Sequence, residues 1–324
     1  MNFINEFNHK KGTFCFLSNL QNYLHCYGLD ISEAWLGASI GYMGFYHSLE
    51  SAKCAEIIHG RSGDFQFLLQ HLQKQIAKPL MGINISVAYD FHSALATILF
   101  QNNIAMIWIN DFYLEYSQFY KKKEFWRLVV IIELRESEII IFDNEIKVIN
   151  FEVFKKSVNH DGENVIYYSS ESNIKWASSE LEIVKNGLNM SLRRLYKIDS
   201  RDDGDYGITG MSSFIEGLRR CLDANEIYNY YFEISRPGGL TVSRENMRHF
   251  FYELNKKYPV LNTQDCQLIY GDLSENWRKV AGLLFKLSVN GDEDLKERII
   301  IRIHKIIELE VDGSQAIKKL IDNL

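Results

Sequence analysis

The sequence has too few cysteines, and in the wrong places, to be read as a disulfide or zinc framework. Its five (Cys15, Cys26, Cys54, Cys221, Cys266) are odd in number and scattered through 324 residues, with no C-x-x-C pair and no histidine-rich spacing. Long apolar runs are also missing. The longest, such as LVVII at 128–132, fall far short of the roughly 20 residues that a membrane-spanning helix requires. The opening stretch MNFINEFNHKKGTFC has no basic start leading into an apolar run and a small-residue cleavage site, so the expectation is a protein of the reducing cytoplasm. Positive charge is in deficit: a formal net charge of -6 provides no basic field for a polyphosphate backbone, and nucleic acid is not expected as a partner. Only three prolines occur, Pro79, Pro237 and Pro259, and this scarcity carries no functional reading.

What remains has the composition of an ordinary globular enzyme, with 46% hydrophobic and 24% charged residues. The length exceeds what one hydrophobic core usually serves, so two domains are expected. Apolar positions Phe16, Leu17, Leu20, Tyr23, Leu24 and Tyr27 recur at spacings of three and four and end at Gly28, which predicts a helix with Cys15 in its first turn. A second helix starts after Ser32, and the glycine-aromatic stretch GASIGYMGFYH follows as a loop. Amphipathic helices are expected at 64–77 and 89–102. Strands are expected at 104–110, 126–134 and 138–142, the last two forming a hairpin. The polar stretch between 155 and 175 reads as a linker, which places the domains at 1–158 and 159–324. Beyond it the periodic segments near 176–197, 210–225, 243–257, 270–288 and 293–323 read as helices. The fold class is α+β, a helix-and-sheet domain followed by a mostly helical one.

A cysteine in the first turn of a helix lies where the helix dipole and free backbone N–H groups favour a thiolate and can hold an oxyanion. Cys15 is therefore the nucleophile candidate, the alternative being a small buried apolar residue. Cys26, Cys54, Cys221 and Cys266 read as core. Such a nucleophile needs a base, and the base an orienting group. Asp143, directly after the strand 138–142, suits the orienter. The base position falls in EFWRLVV, where Trp126 or Arg127 stands and neither shuttles protons near neutral pH.

The residues now on the page resemble the family of butirosin biosynthesis protein H along nearly the whole chain. The first region contributes FCFLSNLQNYLHCYGLDIS, GYMGFYH, WINDFYLEY and the hairpin ending IFDN. The second contributes GITGMSSFIEGL, RPGGLTVSRENMRHFFYEL, LIYGDLSENWRKVAGLL and IHKIIELEVDGSQAIKKL. The resemblance implies a papain-like N-terminal domain in which a cysteine takes an acyl group from an acyl carrier protein thioester and passes it to a small amine, forming an amide. It implies Cys15 as nucleophile and Asp143 as orienter, with no cofactor beyond the phosphopantetheine that the carrier brings. The sequence departs from the family at Phe14, where a histidine usually precedes the nucleophile. It departs again at Trp126, in the place of the catalytic histidine, and at Glu133, where a glycine is usual.

Substitute imidazoles are His47, in the glycine-aromatic loop, and His92, at the start of a helix; for each the commoner reading is an ordinary surface or core histidine. His9 lies six residues before Cys15, the spacing at which papain-like enzymes hold an oxyanion donor. For substrate, Asp111, Tyr113 and Tyr46 are candidates to line a groove. Arg236, Gly238 and Gly239 in RPGGL suit a phosphate, or form a plain interhelical turn. The lysine run 121–123 would steer an acidic carrier, or be a solvated strand approach. Two readings stay open, an acyltransferase and a catalytically degenerate homologue that binds a carrier or pathway intermediate without turnover; a thiol hydrolase is the third. The oligomeric state is open, a homodimer among the options.

Overall fold

A computed structural model describes residues 10–48, 53–55, 62–77, 80–84, 91–102, 104–158, 165–169, 173–196, 205–220 and 223–324. In chain order these form α1 (Cys15–Cys26), α2 (Glu33–Ser39), strands β1 (Tyr46–Ser48) and β2 (Lys53–Ala55), α3 (Ser62–Gln75), β3 (Met81–Asn84), α4 (Phe91–Asn102) and β4 (Ala105–Asn110). A single 3-10 turn over Asp111–Tyr113 precedes β5 (Trp126–Leu134), β6 (Glu138–Phe142), β7 (Ile146–Asn150), α5 (Phe151–Val158) and β8 (Val165–Tyr168). Then come α6 (Glu180–Leu195), β9 (Asp205–Tyr206), α7 (Gly207–Arg219), α8 (Ala224–Ser235), α9 (Leu240–Lys257), α10 (Gln264–Asn290) and α11 (Asp294–Ile321). The protein is mixed α+β, as its sequence indicates.

Two compact units emerge, Met1–Glu33 with Gly60–Ser178, and Ala34–His59 with Ser179–Leu324. This differs from a division at 158/159 in two ways. The polar stretch 155–175 contains the end of α5 and all of β8, and β8 pairs with β3 and β4 inside the sheet of the first unit. The glycine-aromatic segment is not a loop throughout, because Tyr46–Ser48 forms β1, and β1 pairs with both β2 and β9 in the second unit. Strands of two or three residues are too short for a period of two to be read from sequence.

The first unit is built on a six-stranded sheet of order β3-β8-β4-β5-β6-β7, whose pairs are all antiparallel. Alternation along its strands sends Ala105, Ile107, Ile109, Val129, Ile131, Ile139 and Ile141 to one face, where Phe91, Leu95 and Ile98 of α4 and Phe151, Phe154 and Val158 of α5 cover them. The other face carries α1. Asn19 Nδ2 donates to the Leu128 carbonyl of β5 (2.7 Å), and Phe16 stacks on Trp108 of β4 with ring centroids 6.3 Å apart and planes 7° apart. Gly28, at φ 85°, ends α1 where a side chain would be strained.

The second unit consists of α6 to α11, most of α2, and a small antiparallel sheet of order β2-β1-β9. Trp277, Phe214, Phe250 and Phe45 are wholly buried in it. Inside the same core Arg244 pairs with Glu310, both fully buried: Nε and Nη2 donate to Glu310 Oε1 at 2.9 and 2.7 Å, and Nη2 also reaches the Gly44 carbonyl at 3.0 Å. Among the described residues no helix is long and apolar enough to cross a membrane.

Candidate active site

The end of the six-stranded sheet beside the start of α1 gathers the ionisable groups. Antiparallel pairing places the C-terminal end of β4, the N-terminal end of β5 and the C-terminal end of β6 together: Ile109 opposes Arg127, Asn110 opposes Trp126, and Val130 opposes Phe142. The residues just beyond these ends are Asp111 and Asp143, with Arg127 between them in the sheet order. The chain turns sharply at both carboxylates. Asn110 Oδ1 accepts from Phe112 N–H to start the 3-10 turn, and Asn144 adopts φ 59° in the tight turn into β7.

Arg127 bridges the two acids. Its Nη1 donates to Asp143 Oδ2 at 2.7 Å and its Nη2 donates to Asp111 Oδ2, while the side chains of Asp111 and Asp143 are 0% and 1% exposed. Ser117 Oγ donates to Asp111 Oδ2 (2.8 Å) and Tyr116 OH to Asp143 Oδ2 (3.2 Å). Among the described residues Asp111 Oδ1, Asp143 Oδ1 and Arg127 Nε have no hydrogen-bond partner, so each acid keeps one committed oxygen and one uncommitted. Burial pushes the Asp111 carboxyl up, despite the guanidinium beside it. Burial alone would lower Arg127, but Asp143, Asp111 and then Cys15 raise it further than burial lowers it. Burial and the nearby Asp143 likewise push the Tyr116 phenol up.

Cys15 is the first residue of α1 and is half-buried. No acidic residue stands in the first turn of this helix, so its own side chains do not neutralise the positive end. The preceding loop is tied down: Thr13 donates through N–H (2.7 Å) and Oγ1 (2.8 Å) to Glu33, and Lys10 N–H donates to Asn22 Oδ1 (2.7 Å). The electrostatic interaction between Cys15 and Arg127 is mutual: charge on the sulfur holds the proton on the guanidinium, and the guanidinium favours charge on the sulfur. The structure thus brings together Asp111, Arg127 and Asp143, with Cys15 near enough to interact with the Arg127 charge.

Trp126 stands at the start of β5 with the alternation of Leu128, the side facing α1, whereas Arg127 alternates with Val129 toward the other face. An indole therefore occupies the strand position at which the sequence pattern anticipates an imidazole, and the guanidinium one residue on pairs with Asp143. His92 lies elsewhere in the same unit. It approaches the Arg135 carbonyl (3.3 Å) and packs on Phe151, at the opposite end of β5, roughly 23 Å along the strand from Arg127. His47 belongs to the second unit, fully buried between Ser213 Oγ (3.0 Å) and Tyr230 OH (3.1 Å). His9 lies outside the described residues.

The remaining candidates separate as follows. Tyr113 is half-buried in the 3-10 turn next to Asp111 and packs edge-on against Phe112. Tyr46 is buried in β1 of the second unit against Tyr206. Arg236 is 8% exposed and donates through Nε to Glu233 Oε2 (2.7 Å). Gly238, at φ 77°, accepts from Tyr42 OH (3.0 Å), and Gly239 sits where a Cβ would come within 2.5 Å of the Glu233 carbonyl. The glycines therefore serve the tight turn between α8 and α9, and the Gly239 N–H is spent inside it on the Arg236 carbonyl (2.8 Å). The lysines 121–123 are exposed in the turn before β5, with Lys121 over the Tyr120 ring. Cys26 and Cys266 are pushed up by burial to about 11 and about 12, as inert interior thiols are. The Cys54 side chain and Cys221 lie outside the described residues. Among the described residues no three His, Cys, Asp or Glu side chains converge as metal ligands would. Nothing in the sequence marks Tyr116 or Ser117 as a site member, whereas Arg127 stands out as an arginine entering an otherwise apolar strand between two strand-end aspartates.

No family model and no curated protein matches this chain.

Proposed function

We propose that this protein accepts an acyl group on Cys15 from an acyl carrier protein thioester, on a papain-like scaffold of the butirosin biosynthesis protein H type, and passes it to a small amine. The observation that carries this reading is the placement of Cys15 in the first turn of α1, a turn that holds no acidic residue, coupled electrostatically to an arginine that two buried aspartates hold in place. The order of parts also supports it: a cysteine helix lies on the central antiparallel strands, one strand opens at the base position and the next ends at the orienting acid.

The chemistry follows from what each group can do. The Cys15 thiolate attacks the donor's thioester carbonyl, a new C–S bond forms, and the donor's own C–S bond breaks to release a thiolate that needs no prior protonation. The guanidinium of Arg127 supplies positive charge to the incoming nucleophile and moves no proton. In the second half the amine attacks the Cys15 thioester, the amide forms and the Cys15 thiolate returns. The amine's surplus proton goes to solvent or to a second amine, because Trp126 cannot take it. Capture is therefore the fast half and release the slow one. Trp126 also supports a second reading, a homologue that binds a carrier or pathway intermediate without turnover.

Mixing the protein with an acyl pantetheine thioester should add one acyl mass to the intact chain, located at Cys15 by peptide mapping and absent from Cys15→Ser. A small primary amine added afterwards should discharge it slowly. An acyl adduct that the amine never discharges favours the binder. A chain with no adduct at Cys15, or one whose Cys15→Ser variant transfers acyl to amine at the same rate, removes the acyltransferase reading.

A further inference from the structure

We propose that the outer stripe of α10 is a self-complementary interface through which two copies of this chain pair antiparallel. The pairing involves the second unit alone and is independent of the Cys15 chemistry. The helices α10 and α11 form a long hairpin, and two grooves lie along it. One, of about 620 Å³, is rimmed by Lys279, Lys286, Arg298, Arg302 and Lys305. The other, of about 300 Å³, carries Asp265 and Asp312 beside Leu268 and Lys319. The grooves share one face of α10, because the lining positions Asp265, Leu268 and Ile269 recur two heptads later at Lys279, Gly282 and Leu283.

Charge along this face is polarised by heptads. Positions 265 and 272 are aspartates and positions 279 and 286 are lysines, each seven residues after the last, so the first half of the stripe is acidic and the second basic. Lys279 is engaged by Glu275 of its own helix, while among the described residues Asp265, Asp272 and Lys286 form no ion pair. A second α10 laid antiparallel sets Asp265 against Lys286 and Asp272 against Lys279, both pairs centred between Glu275 and Asn276. The apolar positions obey the same centre. Leu268, which is 70% exposed, meets Leu283, and Ile269 meets Gly282.

Gly282 is the second observation. A glycine in the interior of a 27-residue helix weakens it, and a Cβ added there would meet nothing within 4 Å, so packing within the chain does not require it. The bare backbone leaves room for a side chain of a second copy. A two-fold interface needs a patch that complements itself, and this stripe does so in charge, apolarity and size about one point. An overall negative charge of -6 disfavours a nucleic-acid occupant for the basic groove, and the neighbouring acidic end disfavours any polyanion that extends along the stripe.

Sedimentation velocity of the full chain between about 1 and 100 µM tests the pairing. The wild type should sediment as a dimer at the upper end. Lys279→Glu with Lys286→Glu should raise the dissociation constant by at least about 30-fold, because the two-fold repeats each lost pair. Adding Asp265→Lys and Asp272→Lys to that variant should bring the constant back to within about 3-fold of wild type, with unchanged helicity. Asn276→Cys, next to the axis, should cross-link to its own copy under mild oxidation, whereas Leu268→Cys should not. A monomer across the whole range overturns the proposal, as does a dimer indifferent to the lysine reversals or a fourfold exchange that stays monomeric. Capture of an acidic peptide by a monomeric chain would likewise overturn it and assign the basic groove to a different partner.

Discussion

Replacing Arg127 with methionine should destabilise the protein by about 3–5 kcal/mol, the range for removing one partner from a buried ion pair. The reason is the pair of carboxylates left behind. Asp111 and Asp143 are buried, each commits one oxygen to the guanidinium, and a thioether can neither donate to them nor offset their charge. Ser117 and Tyr116 would still donate one hydrogen bond to each, which softens the loss without replacing the charge. Two controls separate this from loss of packing. Converting both acids to asparagine in the Arg127→Met background should recover most of the stability, because no uncompensated charge then remains. Lowering the pH should also shrink the cost, since the Asp111 carboxyl already lies above its ordinary range and takes a proton readily once the arginine is gone. Urea unfolding at several pH values measures all three. A cost below about 1 kcal/mol, as for an exposed pair, would mean that solvent screens the cluster.

The second large effect is an acid destabilisation carried by His47. Burial is the main cause of its low value of about 4; Asp205 pulls it up and Arg220 pushes it further down. An unfolded histidine titrates near ~6.5, so between about 6.5 and 4 the unfolded chain binds a proton that the folded chain refuses. The sign is fixed by that difference. At pH 7 both states are neutral and the histidine contributes no pH dependence; as the pH falls through the window the unfolded state gains, until the slope ends near 4. The full loss is about 3 kcal/mol, from the free energy of one pKa unit. Buried Asp111, whose carboxyl is pushed up, contributes with the opposite sign, so the informative quantity is the difference between wild type and His47→Gln. Stability measured by urea unfolding at pH 7, 6, 5 and 4 should fall more steeply for wild type than for the glutamine variant. Parallel profiles would show that His47 protonates in place, using Ser213 and Tyr230 as partners for the charged form.

The sequence exposes the long, periodic elements of this fold because one physical constraint governs each. Helix α1 must put Phe16, Leu20, Tyr23 and Leu24 on one side, and Gly28 must end it, so its limits are written in spacing. The strands β4, β5 and β6 are buried on both faces and read as apolar runs. The short elements are different. Strand β8 is set by its pairing with β3 and β4, and β1 by partners 7 and 160 residues away, His47 with Cys54 and Tyr46 with Tyr206, and neither constraint is local. That is why the stretch 155–175 reads as a linker and the glycine-aromatic segment as a loop. The site divides in the same way. Cys15 and Asp143 are legible from their places at a helix start and a strand end. The bridge by Arg127 is not, because it depends on two turns delivering Asp111 and Asp143 to one point in space. A catalytic triad would place an imidazole at position 126, whereas the charge that organises this cluster sits one residue further along.

The account depends most on the Cys15 sulfur being a thiolate in the folded protein. Iodoacetamide alkylation of Cys15, followed by peptide mass spectrometry from pH 5 to 10 in native buffer and in denaturing urea, measures that directly. The unfolded chain should titrate near the free-thiol value of about 8.5, and the native chain should alkylate Cys15 with a midpoint clearly below it. A native midpoint at or above that of the unfolded chain would contradict the account.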